Sequence, residues 1–335
     1  MPNISILLTL KTITRFVFFI PPVFILSACI ASTTQVEITP KAVFIIVDGI
    51  PADVIEKTHT PFIDDLAKNG GYARSYVGGE IGAITQSPTV SAVGYNSLLT
   101  GTWANKHNVY DNSIDDPNYQ YWDIFRITKN ANPALNTALF STWEDNRTRL
   151  LGDGLKEAGG NKIDYYFDGF EHDLKRFPHD DSREYIKNID LLVSQESARY
   201  LVEQGPDLSW VYLEFTDDVG HMFGDGQELR EAVNLMDKNI GEIWEAIKNR
   251  ERQKNEDWLV VVTTDHGRDA TTGKSHGGQS DRERTTWIAT NSLNLNQNFY
   301  NAPAIVDILP SIINHLGLIV PSEISDQFDG HTFID

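Results

Sequence analysis

The amino-acid sequence predicts an α/β fold in which helices cover both faces of a mostly parallel central sheet. Apolar runs rich in β-branched and aromatic residues alternate with stretches that have apolar residues at three- and four-residue steps. Several runs end directly at polar residues, and in such folds functional groups gather beyond the carboxyl ends of the strands. The 335 residues, of which 41% are hydrophobic, are enough for one large α/β domain.

Four apolar runs are predicted strands. Residues 42–47 form a continuous apolar run that stops at Asp48-Gly49, which is typical of a strand buried on both faces. The later runs are 210–215, which leads to Asp217, 258–264, which leads to Asp265-His266, and 286–289, which leads to Thr290-Asn291. Two long amphipathic stretches, 188–203 and 229–250, are predicted helices.

Residues 113–185 are more polar and richer in aromatic side chains than the rest of the chain. The aromatic residues that stand out are Tyr119, Tyr121, Trp122, Tyr165, Tyr166 and Phe167. We expect this segment to form either a wall or cap over the site, or a surface excursion packed by its own aromatic rings. Residues 41–335 as a whole are predicted to be a single catalytic domain.

The first 28 residues have the pattern of a secretory signal peptide. Lys11 and Arg15 precede an apolar run, and no acidic residue occurs before Glu37. The run is too short for a spanning helix and contains two consecutive prolines. It ends in Leu-Ser-Ala before Cys29, which resembles the lipobox of bacterial lipoproteins.

That resemblance implies cleavage before Cys29 and lipid attachment to its sulfur, so that the membrane becomes a partner of the protein. The expected location is the periplasmic side or cell envelope, with the outer membrane favoured. Residues 29–40 are then a short tether between the anchor and the fold. The alternative is an ordinary buried cysteine. Since the chain has no second cysteine, no intrachain disulfide can form.

The formal net charge of −19 limits the partners of the protein. A strongly acidic surface repels polyanions, so nucleic acid is not expected as a structural partner. An anionic substrate would have to be attracted locally, for example by bound cations.

Six residues have side chains suited to a site for two divalent metal ions. They are Asp48, Asp217, His221, Asp265, His266 and His276. A dinuclear centre of the zinc type uses about three protein ligands for each ion and leaves positions open for substrate. The mixed carboxylate and imidazole set favours zinc, and manganese, iron or cobalt would also suit it. Each residue alone has an ordinary alternative role, such as helix capping, and the combination is what indicates a metal site.

The same residues resemble the alkaline phosphatase superfamily, most closely its type I phosphodiesterase and nucleotide pyrophosphatase branch. The resemblance extends from the run that ends at Asp48 to the segment Asp307-Ile308-Leu309-Pro310-Ser311-Ile312. It implies an alkaline phosphatase-like fold and a phosphoric ester hydrolase with two ions. The resemblance assigns Asp48, Asp265 and His266 to the first ion, and Asp217, His221 and His276 to the second.

The segment 87–101 is similar to the nucleophile region of that family. Matching its Thr-Gly at the end of the segment places the nucleophile, which is also a metal ligand, at Ser91. The family's phosphate-contacting asparagine, 21 residues further on, falls on Asn112. Asn112 and the amide of Ser91 or Ala92 would bind phosphoryl oxygens. A helix cap is the ordinary role for such a serine, and both roles are compatible. No Gly-x-Ser-x-Gly motif surrounds Ser91, so a metal would have to activate it.

The sequence therefore predicts a phosphodiesterase or nucleotide pyrophosphatase that acts on a small phosphate ester through a phosphoseryl intermediate. Ala92 replaces the aromatic residue that commonly lines the base pocket of the nucleotide pyrophosphatases. The main alternative is a phosphomonoesterase of the alkaline phosphatase type, followed by a phosphonate or sulfate ester hydrolase and by a catalytically inactive surface-binding lipoprotein. Val93 and Tyr95 do not fit the Cys-x-Pro-x-Arg type signature of sulfatases. Arg282 and Arg284 are expected in surface ion pairs rather than on a substrate phosphate.

Overall fold

The computed structural model describes residues 1–3, 9–14 and 38–335. The chain divides into two compact units, Met1–Val36 and Glu37–Asp335. Residues 1–3 and 9–14 contain no regular helix or strand. The predicted signal peptide lies mostly, and Cys29 entirely, outside the described residues. In the described part of the chain, no helix combines the length and the apolar character needed to cross a bilayer.

The second unit is built around one seven-stranded sheet. Its strands are β1 (Thr39–Val47), β2 (Gly71–Tyr76), β3 (Thr137–Ser141), β4 (Tyr165–Phe167), β5 (Leu208–Leu213), β6 (Glu256–Thr263) and β7 (Thr285–Thr290). They lie in the order β2-β7-β6-β1-β5-β3-β4. Within this sheet β7 is antiparallel to both of its neighbours, and the other pairs are parallel.

Helices pack on both faces of the sheet, so the predicted fold class is confirmed. The α-helices are α1 (Ala52–Ile55), α2 (Pro61–Asn69), α3 (Ser91–Thr100), α4 (Ala104–His107), α5 (Ile124–Ala131), α6 (Glu184–Glu203), α7 (Phe215–Phe223), α8 (Gln227–Gln253), α9 (Asp281–Arg284), α10 (Gln297–Tyr300), α11 (Ile308–Leu316) and α12 (Ser322–Ser325). A π-helical turn spans Asn146–Leu150, and 3₁₀ turns span Phe170–His172 and Ile305–Asp307. One core contains α2, α6 and α8, and the other contains α3, α5 and α11.

β1 shows how the sequence produces two cores from one strand. Val43 and Ile45 join the core formed with α6 and α8, whereas Phe44 and Ile46 join the core formed with α3 and α11. These side chains are at most 1% exposed, and each contributes about 1.5–3 kcal/mol of hydrophobic stabilisation. A strand covered on both faces needs an uninterrupted apolar run, which explains the missing alternation of polar residues.

Several strand boundaries and one strand direction differ from the sequence prediction. β1 begins at Thr39, whose N–H donates to the carbonyl of Asn255 at 3.0 Å, so the end of the predicted tether belongs to the sheet. β5 ends at Leu213, and the residues after it start a helix. β7 returns antiparallel because only a loop and the short α9 separate it from β6, with no crossover helix. Thr290-Asn291 therefore lies towards the amino end of β6 rather than beside Asp265.

Residues 113–185 are integrated into the main fold. The segment supplies β3 and β4 to the main sheet, and β3 is buried along its whole length between β5 and β4. In the same segment, Ile124 and Phe125 of α5 enter the core shared with α3. Phe125 and the central residues of β3 thus belong to the hydrophobic cores of the fold.

Candidate active site

The carboxyl ends of two neighbouring strands, β1 and β6, bring Asp48, Asp265 and His266 together. The N–H of Gly49 donates to Asp265 Oδ1 at 3.1 Å. His266 Nε2 lies 3.4 Å from Asp48 Oδ1 and 3.3 Å from Asp265 Oδ2. Among the three residues that the family resemblance assigns to the first ion, His266 therefore contacts both carboxylates.

Asp217 and His221 reach the same place from a helix rather than from the end of a strand. The buried carboxylate of Asp190 accepts hydrogen bonds from the N–H groups of Glu214 and Phe215, at 3.0 and 2.9 Å. These bonds satisfy free donors at the start of α7 and end β5 there. The four-residue spacing then puts both side chains on one helix face, with His221 Nε2 3.1 Å from Asp217 Oδ2.

His276 completes the group from the loop after β6. Its Nε2 lies 3.1 Å from His221 Nε2 and 3.9 Å from Asp217 Oδ1, and its ring stacks on that of His266. The ligand atoms of Asp217, His221 and His276 all lie within 4.8 Å of one another, as do those of Asp48, Asp217 and His266. The structure thus brings all the predicted metal ligands to one place, with Asp217 between the two groups.

Backbone carbonyls orient two of the imidazole rings. His266 Nδ1 lies 2.9 Å from the carbonyl of Gly267, and His276 Nδ1 lies 2.9 Å from the carbonyl of Thr89. A carbonyl can only accept a hydrogen bond, so each Nδ1 carries the hydrogen and Nε2 of the neutral ring keeps its lone pair. In both rings Nε2 is the nitrogen beside the carboxylates, which is the usual arrangement of a metal-binding histidine.

The cluster concentrates carboxylates away from water. Asp48 Oδ1 and Asp265 Oδ2 are buried and have no hydrogen-bond partner among the described residues. Burial and the charge of Asp48 raise the pKa of Asp265. Burial would lower the pKa of His266, but Asp265 and Asp48 outweigh it and raise the pKa to about 9. The negative charge therefore calls for a cation, and unpartnered carboxylate oxygens beside imidazole nitrogens fit a divalent metal ion.

Ser91 is the first residue of α3 and lies next to this cluster. Its Oγ is 3.3 Å from His266 Nε2. Asn112 Oδ1 accepts a hydrogen bond from the N–H of Ala92 at 2.9 Å. The Ala92 amide is therefore already bonded within the protein, and the sequence expectation that it could bind a substrate oxygen does not fit this structure.

Two tyrosines that the sequence analysis did not assign to the site hold Asp48 in place. Tyr95, one helical turn after Ser91, and Tyr212 on β5 both donate to Asp48 Oδ2, the latter at 2.7 Å. Burial and the charge of Asp48 raise the pKa of both phenols, so they remain neutral donors. The four-residue spacing from Ser91 was a usable signal for Tyr95. Nothing in the sequence marks Tyr212.

Arg268, two residues after His266, is a further site residue that the sequence analysis missed. Its side chain is completely buried, and it donates to the carboxylate of Asp217 and, at 2.9 Å, to the carbonyl of Gly49. Arginine is mostly exposed in proteins, so in the sequence this residue looks like part of a polar loop.

An open pocket of about 250 Å³ lies beside Ser91. It is lined by Asp48, Ser91, Tyr95, Asn112, Trp143, Tyr212, Glu214 and Asp217. The lining includes three carboxylates and no lysine or arginine. Arg282 pairs with Asp53 and Asp225 instead, and Arg284 donates to the carbonyl of Gly78. A larger cavity of about 820 Å³ lies near Trp258, at the amino end of β6, and contains none of the predicted site residues.

Comparison with known proteins identifies the family. A family model described as type I phosphodiesterase / nucleotide pyrophosphatase matches residues 42–282. The chain belongs to the type I phosphodiesterase and nucleotide pyrophosphatase family. The matched range includes every predicted metal ligand, from Asp48 to His276, together with Ser91 and Asn112. The family resemblance seen in the sequence is thereby confirmed, and no curated protein matches the sequence significantly.

Solved structures of other hydrolases share the fold of this family member. A 2-O GAG sulfatase superposes with a TM-score of 0.59 and 13% sequence identity, covering 88% of this chain and 73% of its own. Phosphonate monoester hydrolases from Agrobacterium radiobacter and Silicibacter pomeroyi each give a TM-score of 0.58 and 14% identity, covering 88% of this chain and 76% of theirs. At these identities the likeness shows a common alkaline phosphatase-like fold, and the site has to decide the chemistry.

Proposed function

We propose that the protein is a two-metal phosphodiesterase that uses Ser91 as its nucleophile and acts on a small phosphate ester. The observation that carries this proposal is the position of Ser91. Its Oγ lies 3.3 Å from His266 Nε2, within the cluster of metal-binding side chains, and the residue lines the pocket beside them. A serine that only capped a helix would not need this cluster.

The residues that would hold two divalent ions are already together. Asp48, Asp265, His266 and Ser91 would bind the first ion, and Asp217, His221 and His276 the second. Bound ions of this kind lower the pKa of a coordinated hydroxyl and offset the negative charge of a phosphate. The mixture of carboxylate and imidazole ligands favours zinc.

The protein's own groups position the reacting atoms. Ser91 stands at the amino end of the ten-residue helix α3, where the helix dipole favours negative charge on its oxygen. Asn112 Oδ1 accepts a hydrogen bond from the Ala92 N–H. The Nδ2 of Asn112 is therefore the atom that would donate to a phosphoryl oxygen. Attack by Ser91 Oγ on phosphorus would release the alcohol and form a phosphoseryl ester. Water would then hydrolyse that ester, release phosphate monoester and restore the serine.

The charge of the pocket favours diesters over monoesters. A phosphate monoester carries close to two negative charges at neutral pH, whereas a diester carries one. Glu214 lines the pocket, and its partner Arg183, at 3.0 Å, is shared with Asp218. With no lysine or arginine in the described lining, nothing beyond the ions compensates the second charge of a monoester.

A substrate panel tests the reaction class. Full-length protein in mild detergent, loaded with zinc, is assayed with bis(p-nitrophenyl) phosphate, p-nitrophenyl phosphate, p-nitrophenyl phenylphosphonate and p-nitrophenyl sulfate. We expect the diester to have the highest kcat/KM and a chelator to abolish its cleavage. Faster cleavage of the monoester would make the protein a phosphomonoesterase, and preference for the phosphonate or sulfate would reassign the substrate class. A metal-loaded protein that cleaves none of them would be a binding protein.

Replacement of the nucleophile tests the role of Ser91. We expect Ser91→Ala to lower kcat by at least about 10³-fold, because the phosphoseryl ester can no longer form. Asn112→Ala serves as the comparison: it removes one donor to the phosphoryl group, so we expect a loss of about 10²–10³-fold in kcat. Wild-type turnover by the Ser91→Ala protein would exclude this serine as the nucleophile.

We also propose that the protein is exported and anchored through lipid on Cys29. The support is the apolar, acid-free amino-terminal sequence and the lipobox-like residues before Cys29. Cells grown with a radiolabelled fatty acid should incorporate label into the wild-type protein and not into Cys29→Ala. Equal labelling of both proteins would contradict the anchor.

A further inference from the structure

Arg268 places a completely buried positive charge behind the proposed metal ligands. We infer that it is a positioning residue, which fixes the Asp217 carboxylate for binding the second ion by fastening together the segments that carry the ligands. This inference rests on the two-metal site proposed above.

The hydrogen bonds of Arg268 reach the segments that carry Asp48, Asp217 and His276. Nε donates to the carbonyl of Gly49 at 2.9 Å, directly after Asp48. Nη2 donates to the carbonyl of Asp217 at 2.7 Å and to the Oδ1 of its side chain. Nη1 lies 3.3 Å from the carbonyl of Lys274, two residues before His276. Since Arg268 itself follows His266, one guanidinium connects four separate stretches of chain.

Two glycines provide the space that the guanidinium occupies. A Cβ on Gly220, which precedes His221 on α7, would lie 2.2 Å from Arg268 Cζ. A Cβ on Gly49 would lie 2.7 Å from Arg268 Nη2 and 2.3 Å from Asp217 Oδ1. Any side chain at either position would displace the guanidinium. The neighbouring backbone is thus shaped around Arg268, as expected for a built contact rather than a surface arginine that has folded inwards.

The contact with Oδ1 determines which oxygen of Asp217 is available. Oδ1 lies 3.9 Å from the Nε2 atoms of both His266 and His276, midway between the two groups of ligands. Arg268 occupies one of the two lone pairs of this oxygen, which makes Oδ2, 3.1 Å from His221 Nε2, the freer of the two oxygens. Arg268 thereby assigns the carboxylate to the ion held with His221 and His276.

The test measures metal affinity rather than catalysis. Metal-free full-length protein is titrated with zinc against a chromophoric chelator, for the wild type, Arg268→Met and Arg268→Lys. In Arg268→Met we expect one of the two ions to bind 10- to 100-fold more weakly, which is the usual effect of removing a group that orients a ligand. The zinc affinity of Arg268→Lys should lie between those of the wild type and Arg268→Met, because a single ammonium keeps the charge but cannot reach all four acceptors.

Arg147→Met is the matched control. Arg147 is also largely buried, and it makes a two-point ion pair with Asp168 at 2.6 and 3.0 Å, away from the ligands. Its replacement should lower Tm and leave both zinc affinities unchanged. If Arg268 only supported the fold, Arg268→Met would behave in the same way.

Unchanged or tighter binding of both ions by Arg268→Met overturns the inference, since tighter binding would mean that the guanidinium merely repels the cation. If that variant does not fold, wild-type affinities in Arg268→Lys overturn it instead. A wild-type protein that binds no zinc would refute the proposed two-metal function as a whole. A wild-type protein that binds two ions with no effect of Arg268→Lys or Arg268→Met would refute the role of Arg268 alone.

Discussion

The contact between Gly94 and Asp265 allows a sharp prediction, because it joins the helix that carries Ser91 to the segment that carries two of the proposed metal ligands. Gly94 lies three residues after Ser91 on α3. A Cβ at this position would be 2.7 Å from the carbonyl oxygen of Asp265 and 2.9 Å from its Cβ. Neither atom can move out of the way by rotation of a side chain.

Gly94→Ala should therefore move Ser91, the proposed nucleophile, relative to the proposed metal ligands. An ordinary contact begins at 3.4 Å, so the backbones have to separate by about 0.7 Å at the oxygen. The resulting strain lowers the unfolding free energy by about 1–3 kcal/mol. Replacement of a helical glycine by alanine raises it by about 1 kcal/mol. The net loss in unfolding free energy is thus about 0–2 kcal/mol. A displacement approaching 1 Å at reacting groups can cost up to about 10²-fold in rate, so we expect kcat/KM to fall by about 10- to 100-fold.

The assay compares kcat/KM for the best ester of the panel with urea unfolding of the same preparations. Ile189→Val in α6, on the far face of the sheet, is the control: it should cost about 0.5–1.5 kcal/mol of stability and leave kcat/KM unchanged. Wild-type kcat/KM in Gly94→Ala would refute the reasoning, since it would show that α3 is not held against the Asp265 backbone.

Two further predictions concern Asp48 and a buried histidine. Tyr95→Phe and Tyr212→Phe should each weaken zinc binding by less than about tenfold, because the other phenol still donates to Asp48 Oδ2. The double variant should lose more zinc affinity than the two single variants combined. Simple additivity in a double-mutant cycle would contradict the idea that the two phenols support Asp48 together. Burial lowers the pKa of His107 to about 3, below the 6.5 of the unfolded chain. The unfolded state therefore takes up the proton first, and as pH falls from about 6.5 towards 3 this residue removes up to about 1.4 kcal/mol of stability per pH unit. Urea unfolding of the metal-free wild type at pH 6 and 4.5, compared with His107→Gln, should show a steeper loss in the wild type, and equal slopes would rule out this contribution.

The sequence could predict that most of the proposed ligands lie together, because these residues follow strands or helical spacing. Asp48 and Asp265 stand directly after uninterrupted apolar runs, and in a parallel sheet such positions are brought to the same edge. The spacing of Asp217 and His221 suits one helix face, although the preceding strand was predicted to end two residues too late. That boundary depends on Asp190, which ends β5 from a distant helix and leaves no local signal.

Features that depend on long-range contacts escaped the sequence analysis. The antiparallel direction of β7 follows from the lack of a crossover helix in a loop whose composition resembles other loops. The strands within 113–185 are short, and β3 is recognisable only through its pairing with β5. Arg268 is buried because Gly49 and Gly220, which are distant in the sequence, leave space for its guanidinium. The spacing of residues along the chain gives no sign of this space.

β1 also acts as a spacer. It runs from Thr39 to Val47. At about 3.3 Å per residue, it separates the point where the described chain enters the fold from Asp48, which lines the pocket, by about 30 Å. The point where the described chain enters the fold and the proposed active site are thus at opposite ends of one strand. A lipid on Cys29, as proposed above, would therefore be joined to the fold at the amino end of β1, whereas Asp48 follows its carboxyl end.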